Sequence, residues 1–296
     1  MRAIVLGSAA GGGFPQWNCA CAQCDAVRRG DARFRRRTQF SLAVSWGDGD
    51  WLLINAAPEI LQQIADTPAL HPRTPPRHSP VAAVMLTGGE IDAVAGLLSL
   101  RERQPFLLRA APAVMAELEA NPIFTALSAV ERQPLGPGEA WTLPDGGVLR
   151  AFAVPGKVPL YRETADDKLA GDHTLAIEIS APNGTRACIV PGCQEVTPAL
   201  RNRLEGAALL LYDGTVWTDN EMSAAGVGSK TGRRMGHQPL SGADGALAAL
   251  AGLNIGRRVL VHINNTNPLL DSRSAARREA EALGWEVAED GMELTW

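Results

Sequence analysis

A cluster of three cysteines near the start of the chain places the strongest constraint on the fold. Cys19, Cys21 and Cys24 form a C-x-C-x-x-C pattern. Spacings of two and three residues allow neighbouring thiolates to converge on one soft tetrahedral ion. A disulfide is the alternative, but residues two apart bridge poorly and three sites leave one thiol unpaired. The pattern therefore predicts a metal site at residues 19–24 that needs a fourth donor from a distant part of the chain.

Glycines dominate the segment before the cysteines. Residues 1–6 form an apolar run typical of a buried strand, and the stretch from Gly7 to Gly13 follows directly. This stretch is not a phosphate loop, because no Gly-Lys-Ser/Thr follows, and it does not match the dinucleotide-binding G-x-G-x-x-G before a helix. The glycines predict a loop that lies close either to a neighbouring backbone or to a pocket.

Composition and charge narrow the class of protein. The chain has 296 residues, 46% of them hydrophobic and 20% charged, as is ordinary for a globular protein. A net charge of −4 without a basic stripe argues against nucleic-acid binding. No apolar run approaches the roughly 20 residues that a membrane helix needs, and no signal peptide is recognisable. We expect a cytoplasmic protein without a membrane partner, a reducing setting that also suits the five cysteines.

Strand-like and helix-like segments alternate along the rest of the chain, which predicts one α/β domain over residues 1–296. Further strands are expected at residues 37–46, 51–55, 81–87, 105–108, 148–154, 173–179, 185–190, 209–212 and 258–263. Helices are expected within residues 56–69, 88–98, 112–120 and 272–283. Asp48-Gly49 and Asn183-Gly184 are hairpin turn signals, and residues 285–296 read as a final hairpin. Strands at both ends with alternating elements between them are typical of a four-layer αββα sandwich.

Polar residues cluster where predicted strands end, which is where ligands collect in α/β proteins. Glu90 and Asp92 follow one such strand and suit a metal, although acids at a helix N-terminus are an equal explanation. His262 ends the last core strand and precedes four polar residues, which favours a pocket edge over a hydrogen-bonded core histidine. Residues 218–240 are polar and irregular, which is typical of a functional loop.

Long motifs spread over the whole chain resemble those of the pyrroloquinoline quinone (PQQ) biosynthesis protein B family. They are the Gly7 to Cys24 stretch, Arg37-Thr-Gln39, Asp213-Gly-Thr215, Gly226 to Gly232, Met235-Gly-His237 and His262 to Pro268. The family is a branch of the metallo-β-lactamase superfamily, so the resemblance implies the αββα sandwich. It also implies an oxidoreductase of PQQ biosynthesis, an iron-dependent hydroxylase of the tyrosine ring of a Glu-Tyr dipeptide cut from the precursor peptide.

The resemblance also implies an active-site metal. The superfamily motif His-x-His-x-Asp-His falls on residues 88–93, which read Gly-Gly-Glu-Ile-Asp-Ala. Asp92 keeps the aspartate, whereas Ala93 stands where the family usually has histidine. Fe²⁺ would be held by Asp92 and His262, with one further ligand from Glu90, Asp213 or His237. The implied catalytic residues are Asp92, Asp213, His237 and His262.

Further assignments follow from the same resemblance. The residues implied to bind substrate are Gly12, Gly13, Arg37, Lys230 and Asn264. The three thiolates would hold a separate structural Zn²⁺, with Asn265 at the position where related superfamily members supply a histidine. The expected partner is a small molecule, Glu-Tyr or a PQQ intermediate, and the chain is a candidate homodimer. The alternatives are a non-catalytic carrier of PQQ or its intermediate, which Ala93 favours, and a hydrolase, which the missing His-x-His disfavours.

Overall fold

Two seven-stranded β-sheets form the centre of the computed structural model, which describes residues 1–47, 49–163 and 173–296. The first sheet has the order β14-β1-β2-β3-β4-β5-β6. Its strands are β1 (Arg2–Gly7), β2 (Ser41–Ser45), β3 (Trp51–Ile54), β4 (Val81–Met85), β5 (Leu107–Ala110), β6 (Glu131–Pro134) and β14 (Glu293–Thr295). The second sheet has the order β13-β12-β11-β10-β9-β8-β7. Its strands are β7 (Ala140–Thr142), β8 (Val148–Ala153), β9 (Leu175–Ser180), β10 (Arg186–Val190), β11 (Leu209–Asp213), β12 (Arg257–Val261) and β13 (Trp285–Val287).

Helices cover the outer faces of the sheets. They are α1 (Ala22–Arg28), α2 (Ile60–Ala65), α3 (Ile91–Val94), α4 (Pro112–Ala120), α5 (Pro198–Leu204), α6 (Glu221–Ala224), α7 (Ala246–Ala249) and α8 (Ala275–Ala282). Helices α2 and α4 contact strands of the first sheet, and α8 contacts β13 of the second. The predicted αββα sandwich is confirmed. The longest helix in the described residues, α4, has nine residues, and none of the described helices could cross a membrane.

The apolar strands are continuous because both of their faces are buried. In β11, Leu209 and Leu211 pack into the core between the two sheets. Leu210 and Tyr212, which point the other way along the same strand, join the core beneath the outer helices. A strand covered on both faces has no solvent side that calls for polar residues. This explains the uninterrupted apolar runs in the sequence.

The parallel arrangement of the central strands places several loops at one edge. Strands β3 to β6 pair in parallel, as do β10 to β13. The remaining pairs, including β9 with β10, are antiparallel. Carboxyl ends of parallel neighbours lie at the same edge of a sheet. The loops that follow β4, β11 and β12 therefore meet at one end of the sandwich.

The predicted C-terminal hairpin at residues 285–296 is wrong. Strand β13 pairs with β12 in the second sheet, whereas β14 pairs with β1 in the first. The Asp290 carboxylate between them accepts hydrogen bonds from the backbone and hydroxyl groups of Ser8 and Thr38. These bonds fix the connection as a crossing between sheets. The sequence Glu289-Asp290-Gly291 favours a turn, but a turn does not determine which strands the flanking segments pair with.

Other elements differ from their predicted bounds. Helix α4 matches the prediction, and β9 and β10 pair antiparallel across Asn183-Gly184 as expected. The helix predicted within residues 88–98 has only four α-helical residues before a 3-10 helix at Ala95–Leu100. Gly96 lies so close to Ala57 that a Cβ atom would come within 2.1 Å of its carbonyl oxygen. Strands β6 and β7 were not predicted, and Asp48 of the predicted Asp48-Gly49 turn lies outside the described residues.

Candidate metal centre

A cavity of 410 Å³ opens where the loops meet. The glycine-rich loop after β1, the loop after β4 and the loops after β11 and β12 all contribute to its wall. The predicted site residues among those that line it are Gly12, Glu90, Asp92, Lys230, His237, His262 and Asn264. Gly7 to Gly13 serve both roles that the sequence left open. A Cβ atom on Gly7 would come within 2.0 Å of the Gln39 carbonyl oxygen, whereas Gly11 and Gly12 line the cavity.

Asp92 and His262 face each other across this cavity. Asp92 Oδ2 lies 3.1 Å from His262 Nε2. Two donors that each lie about 2.1 Å from one ion are about 3.0–3.4 Å apart, so this separation fits a shared metal. His262 follows β12 with φ +56°, a left-handed conformation that is uncommon outside glycine and is found at functional sites.

The hydroxyl group of Thr215 connects the two histidines to a buried aspartate. Thr215 Oγ1 donates to Asp213 Oδ1 at 2.6 Å and lies 2.7 Å from His262 Nδ1. A hydroxyl has one proton, so Oγ1 accepts from a protonated Nδ1 when it donates to the carboxylate. In the neutral ring this arrangement leaves Nε2 of His262 free to bind a metal, which would then replace the hydrogen bond between Nε2 and Asp92.

Asp213 also orients His237. Asp213 Oδ2 lies 2.7 Å from His237 Nδ1 and accepts the backbone N–H of Cys193 at 2.8 Å. The His237 ring stacks on that of His262 with centroids 5.3 Å apart. Ligand atoms of Asp213, His237 and His262 all lie within 4.8 Å of one another, which suits a metal ion. Of the described residues, these three and the cysteines are the groups with such spacing.

Burial and ion pairing oppose each other in these groups. Burial alone would raise the pKa of Asp92, but the hydrogen bond with His262 lowers it. For His262, burial would lower the pKa, and the bond to Asp92 raises it. For Asp213, burial would raise the pKa, but His237 lowers it. Both carboxylates are therefore held ionised, as metal ligands must be.

The three predicted zinc ligands converge at the start of α1. Sulfur atoms of Cys19, Cys21 and Cys24 lie within 4.8 Å of one another, and all five cysteines are free rather than bridged. Burial raises the pKa of Cys24 to about 11. A buried thiolate of this kind needs a cation, because the ion itself stabilises the deprotonated form. The sulfur cluster therefore fits a soft metal.

Asn265 reaches this cluster from the opposite end of the chain. Its amide nitrogen lies 3.2 Å from Cys19 Sγ, 3.8 Å from Cys21 Sγ and 3.4 Å from Cys24 Sγ. Nitrogen and oxygen of a side-chain amide are assigned from hydrogen bonds, and a rotated amide would offer the oxygen to an ion. Asn264 lines the cavity, so two adjacent residues contact the two separate sites.

The whole chain aligns with proteins of one family. It is 52% identical over 298 residues to "Coenzyme PQQ synthesis protein B" of Methylobacterium sp. (strain 4-46), with 100% of both chains covered. It is 51% identical to the protein of the same name from Gluconacetobacter diazotrophicus, with 99% of this chain and 98% of the other covered. The chain belongs to the coenzyme PQQ synthesis protein B family.

Solved structures and a domain family agree with this membership. The crystal structure of Zn²⁺-bound PqqB from Methylobacterium extorquens is 49% identical, covers 100% of both chains and superposes with a TM-score of 0.97. The Beta-lactamase superfamily domain matches residues 50–263. A diphosphatase of the PhnP family, 20% identical with a TM-score of 0.70 over 100% of this chain and 97% of its own, shares the fold alone.

Three residues that the PqqB resemblance implied for the site lie elsewhere or bind other groups. Arg37 is buried and donates to Ser8 Oγ and the Ala288 carbonyl, so it does not face the cavity. A guanidinium buried against the connection between the sheets is not available to a substrate carboxylate. Gly13 is not among the described residues that line the cavity. Glu90 lines it, but its carboxylate pairs with Lys157 at 2.9 Å instead of joining the metal cluster.

Thr215, Lys157 and His173 belong to the site although the sequence did not single them out for it. Thr215 belongs to the PqqB motif Asp213-Gly-Thr215, and its place directly after a strand was a usable signal. Lys157 and His173 line the cavity from segments without a recognisable motif. Only the packing of β8 and β9 beside β10 brings them there.

Proposed function

We propose that this chain acts in PQQ biosynthesis by hydroxylating the tyrosine ring of a Glu-Tyr dipeptide at a non-haem iron centre. The observation that carries this proposal is the pair of Asp92 Oδ2 and His262 Nε2, 3.1 Å apart at the wall of an open cavity. Imidazole and carboxylate ligands with open positions are the donor set of non-haem Fe²⁺, which supplies dioxygen activation when bound. The curated relatives at about half identity are named for PQQ synthesis.

A dinuclear hydrolase fits the site less well. The superfamily's leading histidines fall on Gly88 and Glu90, and glycine offers no ligand atom. Glu90 is neutralised by Lys157 and accepts the backbone N–H of Leu160 at 3.2 Å. Two-metal hydrolysis needs donors for both ions about 3.5–4 Å apart. Beside the cavity, the described residues offer one three-ligand cluster, Asp213, His237 and His262.

We assign a structural Zn²⁺ to the thiolate cluster, with Asn265 as the fourth ligand. The related PqqB from Methylobacterium extorquens binds Zn²⁺. Four donors from Cys19, Cys21, Cys24 and Asn265 would leave no open position for a substrate, as is usual for structural zinc. This ion would join α1 to the loop after β12, which Gln23 also contacts through the Asn265 and Asn267 carbonyl oxygens.

The chain's own residues have distinct parts in this proposal. Asp92 and His262 hold the metal, and Thr215 keeps the proton of His262 on Nδ1. His237, oriented by Asp213, can accept a proton from the substrate. Asn264 and Lys230 line the wall on which the dipeptide would lie.

The reaction fixes what an assay must supply. Inserting one oxygen atom of O₂ into a ring C–H bond uses two electrons and two protons, and the other oxygen atom leaves as water. We expect aerobic incubation of Glu-Tyr with Fe²⁺ and ascorbate as reductant to give a product heavier by one oxygen atom. The added oxygen atom should carry the label when ¹⁸O₂ is supplied and not when H₂¹⁸O is supplied. His262→Ala should form no hydroxylated product.

The carrier alternative gives a different result in the same assay. Ala93, in place of the family's usual histidine, favours a chain that binds the quinone without turning it over. Unchanged Glu-Tyr under all conditions, together with stoichiometric binding of PQQ, would reject hydroxylation and support the carrier.

A further inference from the structure

Two lysines meet one carboxylate at the cavity. The chain has 28 basic residues, and only Lys157, Lys168 and Lys230 are lysine. Lys157 and Lys230 both line the cavity. Lys157 Nζ lies 2.7 Å from Glu163 Oε1, and Lys230 Nζ lies 3.1 Å from Glu163 Oε2. Each oxygen of one carboxylate therefore faces its own ammonium group.

Lys157 is held in place without Glu163. It forms a second ion pair with Glu90 Oε1 at 2.9 Å, and the other Glu90 oxygen accepts the Leu160 backbone N–H at 3.2 Å. The Tyr161 hydroxyl donates to the Gly89 carbonyl at 3.0 Å, which ties the same segment to the loop after β4. The Lys157 side chain is 22% exposed, so the charge of Lys157 faces the cavity with limited screening by water.

Glu163 is held chiefly by the lysines. In the described part of the chain, its carboxylate makes hydrogen bonds with Lys157 and Lys230. The hydrogen bond from Lys157 lowers the pKa of Glu163, so the group is an anion at neutral pH. Burial would lower the pKa of Lys157, but its bonds to Glu163 and Glu90 raise it, so the group is a cation. An anion of the protein thus occupies a position suited to any carboxylate.

We propose that Lys157 and Lys230 form a carboxylate-binding subsite, and that a carboxylate of a small-molecule ligand displaces Glu163 from it. The ligand class is a di- or tricarboxylate; this rests on the proposed function to the extent that Glu-Tyr carries two carboxylates. Exchange of one carboxylate for another conserves the charge of the subsite. Ammonium groups on flexible stems adapt to a new oxygen position more readily than the planar guanidinium of arginine.

Competition from Glu163 has a measurable consequence. A ligand that must displace an internal group binds with an apparent affinity reduced by the fraction of protein in which the subsite is free. Removing the charge of Glu163 should therefore strengthen ligand binding, whereas removing a lysine should weaken it. A merely structural salt bridge gives no such gain, because its loss leaves the affinity unchanged or lower.

The test is calorimetric titration of the metal-loaded protein with glutarate, which lacks a ring. Because a carboxylate can also bind the metal, dependence of the affinity on Lys230 identifies binding at the subsite. We expect Glu163→Gln to bind glutarate about tenfold more tightly than the parent and Lys230→Met about tenfold more weakly, as charge-assisted hydrogen bonds indicate. The double variant, Glu163→Gln with Lys230→Met, should not show the tighter glutarate binding of Glu163→Gln alone. Arg234→Met removes an exposed charge from the same loop and should change nothing. Glutaramide, the neutral analogue, should bind equally weakly to all.

The outcomes separate this proposal from the proposed function. Equal glutarate affinity in Glu163→Gln and the parent, or a gain that persists without Lys230, would overturn the subsite. Lysine-dependent glutarate binding in a protein that never oxidises Glu-Tyr would retain the subsite and reject hydroxylation. If the protein oxidises Glu-Tyr but Lys230→Met binds glutarate as tightly as the parent, the subsite is rejected and hydroxylation is retained. Thermal unfolding of each variant identifies any loss that comes from misfolding.

Discussion

At the scale of single residues, one hydroxyl group sets the proton positions of the candidate metal centre. Thr215 Oγ1 lies 2.6 Å from Asp213, 2.7 Å from His262 and 3.1 Å from His237. Its backbone N–H also donates to Asp213 at 3.0 Å, which fixes the direction of the side chain. Partners of this kind orient metal ligands and select their tautomers.

Thr215→Val tests this role, because valine keeps the shape and removes the hydroxyl. Loss of such a partner commonly lowers metal affinity about 10- to 100-fold. We expect a reduction in that range for Fe²⁺ titrated into the variant, with zinc at the cysteines unchanged. Thr185→Val, at an exposed turn, is the matched control. Parent-like iron affinity in Thr215→Val would show that the hydroxyl does not position a ligand.

Ala93→His tests the place where this chain departs from the family motif. Ala93 lines the cavity directly beside Asp92, and a histidine there would add an imidazole to a site with few ligands. We expect the variant to bind Fe²⁺ at least about tenfold more tightly than the parent, since losing even a supporting group costs about 10- to 100-fold. Equal iron affinity in both proteins would place position 93 outside the ligand sphere and contradict the ligand assignment.

At the scale of elements, a buried acid connects the loop after β11 to the loop after β12. Glu221, the first residue of α6, accepts the Trp217 backbone N–H at 2.6 Å and the Thr266 hydroxyl at 2.7 Å. The Asn264 amide donates to the same Thr266 oxygen at 2.6 Å. The two loops that carry Thr215 and His262 are thus joined behind the cavity.

Glu221 makes the stability of the chain depend on pH. Burial raises its pKa from 4.5 to about 7, so the folded state binds this proton more tightly than the unfolded chain does. Stability therefore falls as pH rises from about 4.5 to about 7, by up to about 3 kcal/mol. Glu221→Gln stays neutral, so urea unfolding should find it more stable than the parent at pH 8 and nearly equal at pH 5. A difference independent of pH, or the same result in the exposed Glu119→Gln, would contradict this account.

Local signals predicted local structure well. The helix expected at residues 112–120 is α4, and Asn183-Gly184 marked the hairpin of β9 and β10. Strand β6 was not predicted because its sequence lacks an apolar pattern. None of its four residues is fully buried and one is proline, as is usual for an edge strand. The thiol spacing predicted that Cys19, Cys21 and Cys24 converge, and the structure confirms it.

Long-range partners were not predictable in the same way. The residues around Glu289-Asp290-Gly291 carry a turn signal whether the flanking strands share a sheet or separate. Arg37 lies in a family motif, but a motif does not state which way a side chain faces. The ion pairs of Glu90 with Lys157 and of Glu163 with Lys230 join segments far apart in the chain. Such contacts depend on how the sheets stack.

At the scale of the whole molecule, the end of the last core strand serves both candidate metal sites. Residues 262–265 contribute His262 to the cavity and Asn265 to the thiolate cluster. The cysteines come from the start of the chain, and Asp92 lies in α3, after β4 of the other sheet. Each site thus joins distant parts of the sequence. We expect the two sites to hold separate ions with separate ligands.

Native mass spectrometry of the metal-loaded protein counts the bound ions and shows which residues hold each of them. We expect two ions in the parent, one at the cysteines and one at the cavity. Cys21→Ser should lose the zinc and unfold at a lower temperature while the cavity ion remains. His262→Ala should lose only the cavity ion and all Glu-Tyr oxidation. Loss of the thiolate zinc in His262→Ala, or unchanged zinc content and melting temperature in Cys21→Ser, would contradict the assignment of two independent sites.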